Sequence, residues 1–243
     1  MDKQIVFISD IHGNMEAFKN VLKDIEQRKI SLEDVYCLGD CVGYGTRPDD
    51  VINQIKELGI TSILGNYDEA VGFYLPTCGC SIESVSDKHK TQNALRWTVK
   101  HTSDENKEFL REFEEQITIE AGGKRILLTH ASPVSITDYV YEDNTEKQEE
   151  IADELEEDII VFGHTHIPYV KKVKDKLFIN AGSVGRPKDG DNRACYCILT
   201  IGEAVEAEFV RVPYDIETVA AEIEESELLD SFAMVLRTGR DTK

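Results

Sequence analysis

The chain has 243 residues, 41% of them hydrophobic, enough to bury a sizeable core in one large domain or two small ones. Its 27 Lys and Arg against 47 Asp and Glu leave a formal charge of -20, which excludes a general electrostatic pull toward nucleic-acid duplex or anionic membrane. No run of about 18 apolar residues marks a membrane span, so an anionic substrate would have to be held by local charge, which bound metal ions supply.

The opening MDKQIVFISD leads directly into an apolar run, without the apolar stretch and small-residue cleavage site of a secretory signal. A cytoplasmic protein is expected, with Cys37, Cys41, Cys78, Cys80, Cys195 and Cys197 as reduced thiols. Ile5 to Ile8 is the first strand candidate. Asn14 is placed to cap a helix whose Phe18, Val21, Leu22 and Ile25 form one apolar stripe. Val35 to Leu38 is the next strand, Pro48, Asp49 and Asp50 open a second helix, and Ser62 to Leu64 makes a third strand. This alternation predicts strand-helix-strand units and a largely parallel sheet.

From about Phe73 to Glu115 the pattern changes to Cys, Gly and Ser and then to helical stretches at Ala94 to Val99 and Ser103 to Phe113, read as an inserted lobe over the site. Strand-like segments follow at Ile117 to Glu120, Arg125 to Thr129, Ile159 to Phe162, Tyr169 to Val173, Lys176 to Ile179, Ala194 to Ile201 and Ala204 to Val212, and they suggest a second sheet. The acidic Glu142 to Asp158 reads as a solvated helix with its loops, and Asp215 to Met234 as two amphipathic helices. Without an internal repeat or low-complexity linker, one domain with an insertion (about 73–115) and C-terminal helices (about 215–238) is the simplest parse.

The chemistry sits at the ends of the apolar runs. IVFIS ends at Asp10 with His12 two residues on, VYCLG at Asp40, SILG at Asn66, RILLT at His130, and DIIVFG at His164 with His166 two residues on. In open α/β sheets the carboxyl ends of strands form the ligand crevice, so these seven side chains can converge. A single histidine after a strand is usually just a satisfied polar group, but four of six histidines at such places, with two Asp and an Asn, outweigh that reading. Imidazole, carboxylate and amide donors without a thiolate suit manganese, iron, zinc, cobalt or nickel. Seven ligands exceed one tetrahedral site and fit two ions about 3.5–4 Å apart.

The motifs SDIHGN, GDCVGYG, GNYD, LLTHASP and FGHTHIP, in that order between Asp10 and Arg186, resemble the signature of the calcineurin-like metallophosphoesterase superfamily. More narrowly they are similar to its bacterial and archaeal phosphodiesterase and diadenosine-tetraphosphatase-like branch. The resemblance implies a two-sheet sandwich flanked by helices in four α/β/β/α layers. It also implies one metal on Asp10, His12 and His166, another on Asn66, His130 and His164, and Asp40 bridging them. Mn and/or Fe are the expected ions, and the implied activity is hydrolysis of phosphodiester or phosphoanhydride bonds by a metal-bridging hydroxide. Asn66, Tyr67, Asp68 and His130 are the implied catalytic set.

One departure biases the substrate. Where the family most often has His after Gly-Asn, this chain has Tyr67 followed by Asp68. A phenol, with a pKa of about 10, is a weaker general acid near neutrality than an imidazole of about 6.5. Small phosphorylated substrates with good leaving groups, such as nucleotide polyphosphates, are therefore expected ahead of phosphoserine, and Gly43, Tyr44 and Gly45 replace the Asp-Arg pair of phosphoprotein phosphatases. The alternatives are a serine/threonine phosphoprotein phosphatase and a non-catalytic scaffold of the same fold. In AGSVGRPKDG, Gly182, Ser183 and Gly185 permit turns whose amides could face an anion, and Arg186 could reach a phosphate. His89 and His101 lie in polar helical surroundings and read as ordinary surface residues, as do Cys78 and Cys80 as ordinary thiols; Cys195 and Cys197 read as core residues on one strand face. The oligomeric state is open.

Overall fold

In β1 (Lys3–Ile8) Ile5 and Phe7 point to one side, Val6 and Ile8 to the other, and all four are buried. A strand buried on both faces must lie within a sheet covered on both sides. The computed structural model, which describes residues 2–80 and 84–241, shows what covers them. Asn14 caps α1 (Met15–Gln27) by accepting from Ala17 N, and the helix lays Ala17, Phe18, Val21 and Ile25 on the Val6 and Ile8 side. A 3-10 turn (Leu32–Asp34) leads to β2 (Val35–Cys37). Pro48 then starts α2 (Pro48–Leu58), and Gly59, at φ 65°, ends it in the left-handed conformation a helix C-cap needs. After β3 (Thr61–Ser62) comes the short α3 (Asn66–Gly72).

The segment after Phe73 contains α4 (Val85–His101) and α5 (Asp104–Leu110), which pack on α2 and α3. The second sheet begins with the hairpin β4 (Gln116–Ala121) and β5 (Lys124–Thr129). Then come α6 (Thr145–Glu154), β6 (Ile159–Phe162), β7 (Tyr169–Val173) and β8 (Lys176–Asn180). The chain ends with β9 (Ala194–Ile201), β10 (Val205–Val212), α7 (Ile216–Glu224) and α8 (Asp230–Thr238).

Two five-stranded mixed sheets result, in the orders β10-β9-β1-β2-β3 and β4-β5-β6-β8-β7. One expectation is corrected here: the segments Ala194 to Ile201 and Ala204 to Val212 do not join the second sheet. β9 pairs antiparallel with β1, Val6 against Ile198, and β10 pairs with β9. The free edge of β1 opposite β2 needs a partner, and β9, buried along almost its whole length, is an interior strand. The third strand is also shorter than expected, with Ile63 contributing only a bridge to Glu114.

Ile5, Phe7, Leu38, Ile126, Leu128, Val161 and Leu199 fill the space between the sheets. The outer face of the first sheet is covered by α1, α2, α7 and α8, and that of the second by α6 through Ile151 and Ala152. The four layers are therefore α/β/β/α. Strands β1, β2 and β3 run parallel, as do β5, β6 and β8, so both sheets send carboxyl ends to one side. No helix among the described residues is long and apolar enough to cross a membrane.

Candidate metal centre

The seven candidates meet where those strand ends converge, and all are buried. Asp10 and His12 follow β1, Asp40 follows β2, and Asn66 opens α3 after β3; His130 follows β5, and His164 and His166 follow β6. Five of the seven hold a left-handed backbone: Asp10 (φ 53°), His12 (51°), Asp40 (52°), His164 (63°) and His166 (61°). Such conformations cost about 1–3 kcal/mol each in a residue with a Cβ and persist where the surroundings fix them. Here they turn successive side chains inward from loops that cross-link: Asp10 N donates to Gly39 O (3.0 Å), His12 N to Asp40 O (2.9 Å) and Gly163 N to His130 O (2.9 Å).

The outer nitrogens of three imidazoles face backbone carbonyls, with His12 Nδ1 3.0 Å from Val42 O, His130 Nδ1 2.8 Å from Leu38 O and His166 Nδ1 2.6 Å from Arg186 O. A carbonyl only accepts, so each Nδ1 carries the proton and each Nε2 presents a lone pair inward. Those lone pairs face other acceptors. His12 Nε2 and His166 Nε2 are 3.1 Å apart. Asp10 Oδ1, which has no donor among the described residues, lies 3.2 Å from His166 Nε2 and 3.7 Å from His12 Nε2. On the other side His130 Nε2 is 3.0 Å from Asn66 Oδ1 and 3.2 Å from His164 Nδ1. Asn66 Nδ2 donates to Cys78 O (2.8 Å) and Cys80 Sγ (3.3 Å), which turns its oxygen inward. Asp40 Oδ2 stands between the two groups, 3.7 Å from His12 Nε2 and 3.6 Å from His130 Nε2.

The one N–H of neutral His164 serves Asn66 Oδ1 (3.1 Å) or His130 Nε2 (3.2 Å); the acceptors gathered around Asp10 Oδ1 still crowd one another, which is unfavourable unless a cation enters. Geometrically, Asp10, His12 and His166 could hold one ion, and the atoms of Asp10, Asp40 and His130 also lie within 4.8 Å of one another. Burial pushes the pKa values of His12, His130, His164 and His166 below the ordinary imidazole value, so all four are neutral at pH 7, the state a ligand needs. Burial, followed by the charges of Asp68 and Asp10, pushes Asp40 well above the usual carboxylate range. A cation would reverse that penalty.

The sequence profile of the calcineurin-like phosphoesterase superfamily domain matches residues 4–204. The chain belongs to this superfamily. An uncharacterised protein of Methanocaldococcus jannaschii is 34% identical over 97% of this chain and 98% of its own. The crystal structure of a metallophosphoesterase from Sphaerobacter thermophilus is similar at 27% identity and TM-score 0.78, covering 98% of this chain and 100% of that one. A hypothetical protein from Pyrococcus horikoshii, 22% identical, has the same fold at TM-score 0.84 over 98% of this chain and 99% of that one. The protein is thus a phosphoesterase, a hydrolase, and its superfamily is metal-dependent.

Around this candidate centre, the other predicted residues take distinct places. Tyr67 is buried, its ring 5.7 Å from His12 and 4.8 Å from Tyr44. Gly43 makes room for it, since a Cβ there would come within 2.6 Å of the Tyr67 ring. Asp68 does not reach the centre: its carboxylate accepts from Cys41 N (2.9 Å), Val42 N (3.3 Å) and Gly65 N (3.2 Å), fastening the Asp40 loop to the start of α3. The amides of Gly182 and Gly185 are not open to an anion, because they donate to Asn180 Oδ1 and Asp10 O, while Ser183 Oγ donates to Asp10 O. That loop braces the turn after β1, and of its two cations Arg186 lays its guanidinium 4.3 Å over Tyr44. His101 stacks on Trp97 (3.8 Å), and His89 lines a separate groove with Arg96 and Lys100.

Several neighbours were not legible beforehand. Ser9 Oγ donates to Asp10 Oδ2 (2.6 Å), and the Tyr139 ring lies 4.4 Å from His164. Tyr44 was visible only as part of an unusual Gly-Tyr-Gly; its stacking partners come from four distant segments.

Proposed function

We propose that this phosphoesterase cleaves phosphodiester or phosphoanhydride bonds of small molecules, nucleotide polyphosphates among them. In this reading Asp10, His12 and His166 hold one divalent cation, Asn66, His130 and His164 the other, and Asp40 is shared. The observation that carries it is the acceptor-rich cluster with Asp40 Oδ2 almost equidistant from an imidazole on each side. Bound there, two cations supply an activated water and neutralise charge on the phosphoryl oxygens. Nitrogen and oxygen donors favour manganese and/or iron, with zinc, cobalt or nickel accepted.

The chain's own groups do the rest. Backbone carbonyls lock three imidazoles in the tautomer that points lone pairs at the centre, and Asn66 is oriented by Cys78 O. Arg186 supplies a fixed positive charge for a substrate phosphate. Burial pushes the Tyr67 phenol well above its ordinary pKa, so it stays protonated and gives up its proton reluctantly. A leaving group that departs as a stabilised anion needs no such proton, which favours polyphosphates over phosphoserine.

The test combines metal analysis with turnover of bis-(p-nitrophenyl) phosphate in manganese, followed by a panel of dinucleoside polyphosphates and a phosphoserine peptide. Asp40→Asn should lower metal content and nearly abolish turnover. Faster cleavage of phosphoserine than of polyphosphates would overturn the substrate assignment, and full activity of the Asp40 variant would overturn the shared-ligand assignment.

A further inference from the structure

Beside the metal centre lies a charge cluster that the proposed chemistry uses only in part. Arg186 Nη2 is 2.6 Å from Asp241 Oδ1, and Lys188 Nζ is 3.2 Å from Asp241 Oδ2. Two cations thus share one carboxylate, which leaves a positive charge unmatched. The side chain of Arg186 is 6% exposed and that of Lys188 23%, against 54% for Asp241. The cations are built into the fold, and the carboxylate reaches them from the solvent side. Arg186 Nε, also buried, has no acceptor among the described residues.

The cluster is tied to the centre through one candidate ligand. His166 Nδ1 donates to Arg186 O, and Lys188 N donates to His166 O (3.3 Å). Asp241 is delivered by the end of α8, where Gly190 N donates to Gly239 O (2.8 Å) and Asn192 Nδ2 to Arg237 O (2.9 Å). Partial burial works against its charge, yet Arg186 and Lys188 hold its pKa below the usual carboxylate range.

We propose that Arg186 and Lys188 form an anion subsite for a second phosphoryl group of the substrate, and that Asp241 occupies it as a built-in competitor. The inference rests on the phosphoester reading and sharpens it. A substrate with two linked phosphoryl groups places one at the metal centre and the other on this pair, displacing Asp241. A partly exposed ion pair is a weak competitor, whereas a diphosphate brings more charge and the bidentate geometry a guanidinium matches. A diester with one phosphoryl group leaves Asp241 in place.

Inorganic pyrophosphate is the probe, measured by titration calorimetry on the full-length protein with and without manganese, and as an inhibitor of bis-(p-nitrophenyl) phosphate hydrolysis. Asp241→Asn should tighten pyrophosphate about two- to fivefold, the range expected on removing a weak ion pair. Lys188→Ala should weaken it by at least as much, and neither variant should shift KM for the aryl diester. Pyrophosphate affinity unchanged in both variants, or weaker in Asp241→Asn, overturns the subsite; a lowered melting temperature with unchanged affinity assigns Asp241 to fastening the C-terminus alone. Pyrophosphate binding that responds as expected in a protein that cleaves no ester would sink the hydrolytic reading and leave the subsite standing.

Discussion

Asp10 shows what the centre demands of one residue. Its Oδ2 accepts from Ser9 Oγ and His164 N, which leaves Oδ1 turned toward His166 Nε2, an acceptor facing an acceptor. In Asp10→Asn the carbonyl oxygen keeps the two donors, and the amide nitrogen takes the Oδ1 place with a hydrogen to offer His166. The variant should stabilise the metal-free protein by about 1–2 kcal/mol, the worth of one buried hydrogen bond made and one repulsion removed, while losing metal. Thermal melting in chelator together with metal analysis checks this; a lower melting temperature would contradict the account of the cluster. For Tyr67→His, an imidazole in this place should raise turnover of poor leaving groups more than of good ones, read from kcat/KM on a series of aryl phosphoesters. An equal effect across the series would remove the leaving-group argument. The ligand candidates were legible in the sequence because each ends an apolar run, so strand direction alone gathers them. Asp68 was not, because its work is to accept amides from a loop 26–27 residues away.

Among the elements, β9 carries the clearest lesson. ACYCILTI is apolar on both faces, which announces an interior strand, but the pattern does not say which sheet lacks a neighbour. That depends on β1 having a free edge, a property of strand order and not of local sequence. The C-terminal helices were legible as amphipathic, yet their position behind the centre was not. In α8, Phe232 is buried and sits edge-on to Tyr44 at 5.1 Å, and Tyr44 in turn supports Arg186 and Tyr67. Phe232→Ala should cost about 3–5 kcal/mol and raise KM for polyphosphates more than it lowers kcat, as Tyr44 and Arg186 loosen. Urea unfolding and steady-state kinetics test both parts. A stability loss with unchanged KM would confine α8 to support.

Across the whole molecule, each side of the centre draws on both sheets. Asp10 and His12 come from the first sheet and His166 from the second; Asp40 and Asn66 come from the first, and His130 and His164 from the second. Cations bound as proposed would tie the two halves of the sandwich together. Manganese at about a hundred times its dissociation constant should then add about 2.7 kcal/mol per site, which in a chain of this size raises the melting temperature by about 2–4 °C per kcal/mol. Calorimetry in manganese and in chelator measures it, and identical melting temperatures would rule out binding at this place.

The separation of the ligands along the chain has a kinetic side. His12 and His166, 3.1 Å apart in space, are 154 residues apart in sequence, and Asn66 and His130 are 64 apart. No short segment assembles either group, so a metal ion has little to grip until both sheets are docked. Stabilisation that arrives after the rate-limiting step of folding lowers the escape rate from the native state and leaves the rate of reaching it unchanged. The ions would act as a brake on unfolding, and the lifetime of the folded enzyme, more than the speed of its maturation, would depend on the supply of metal.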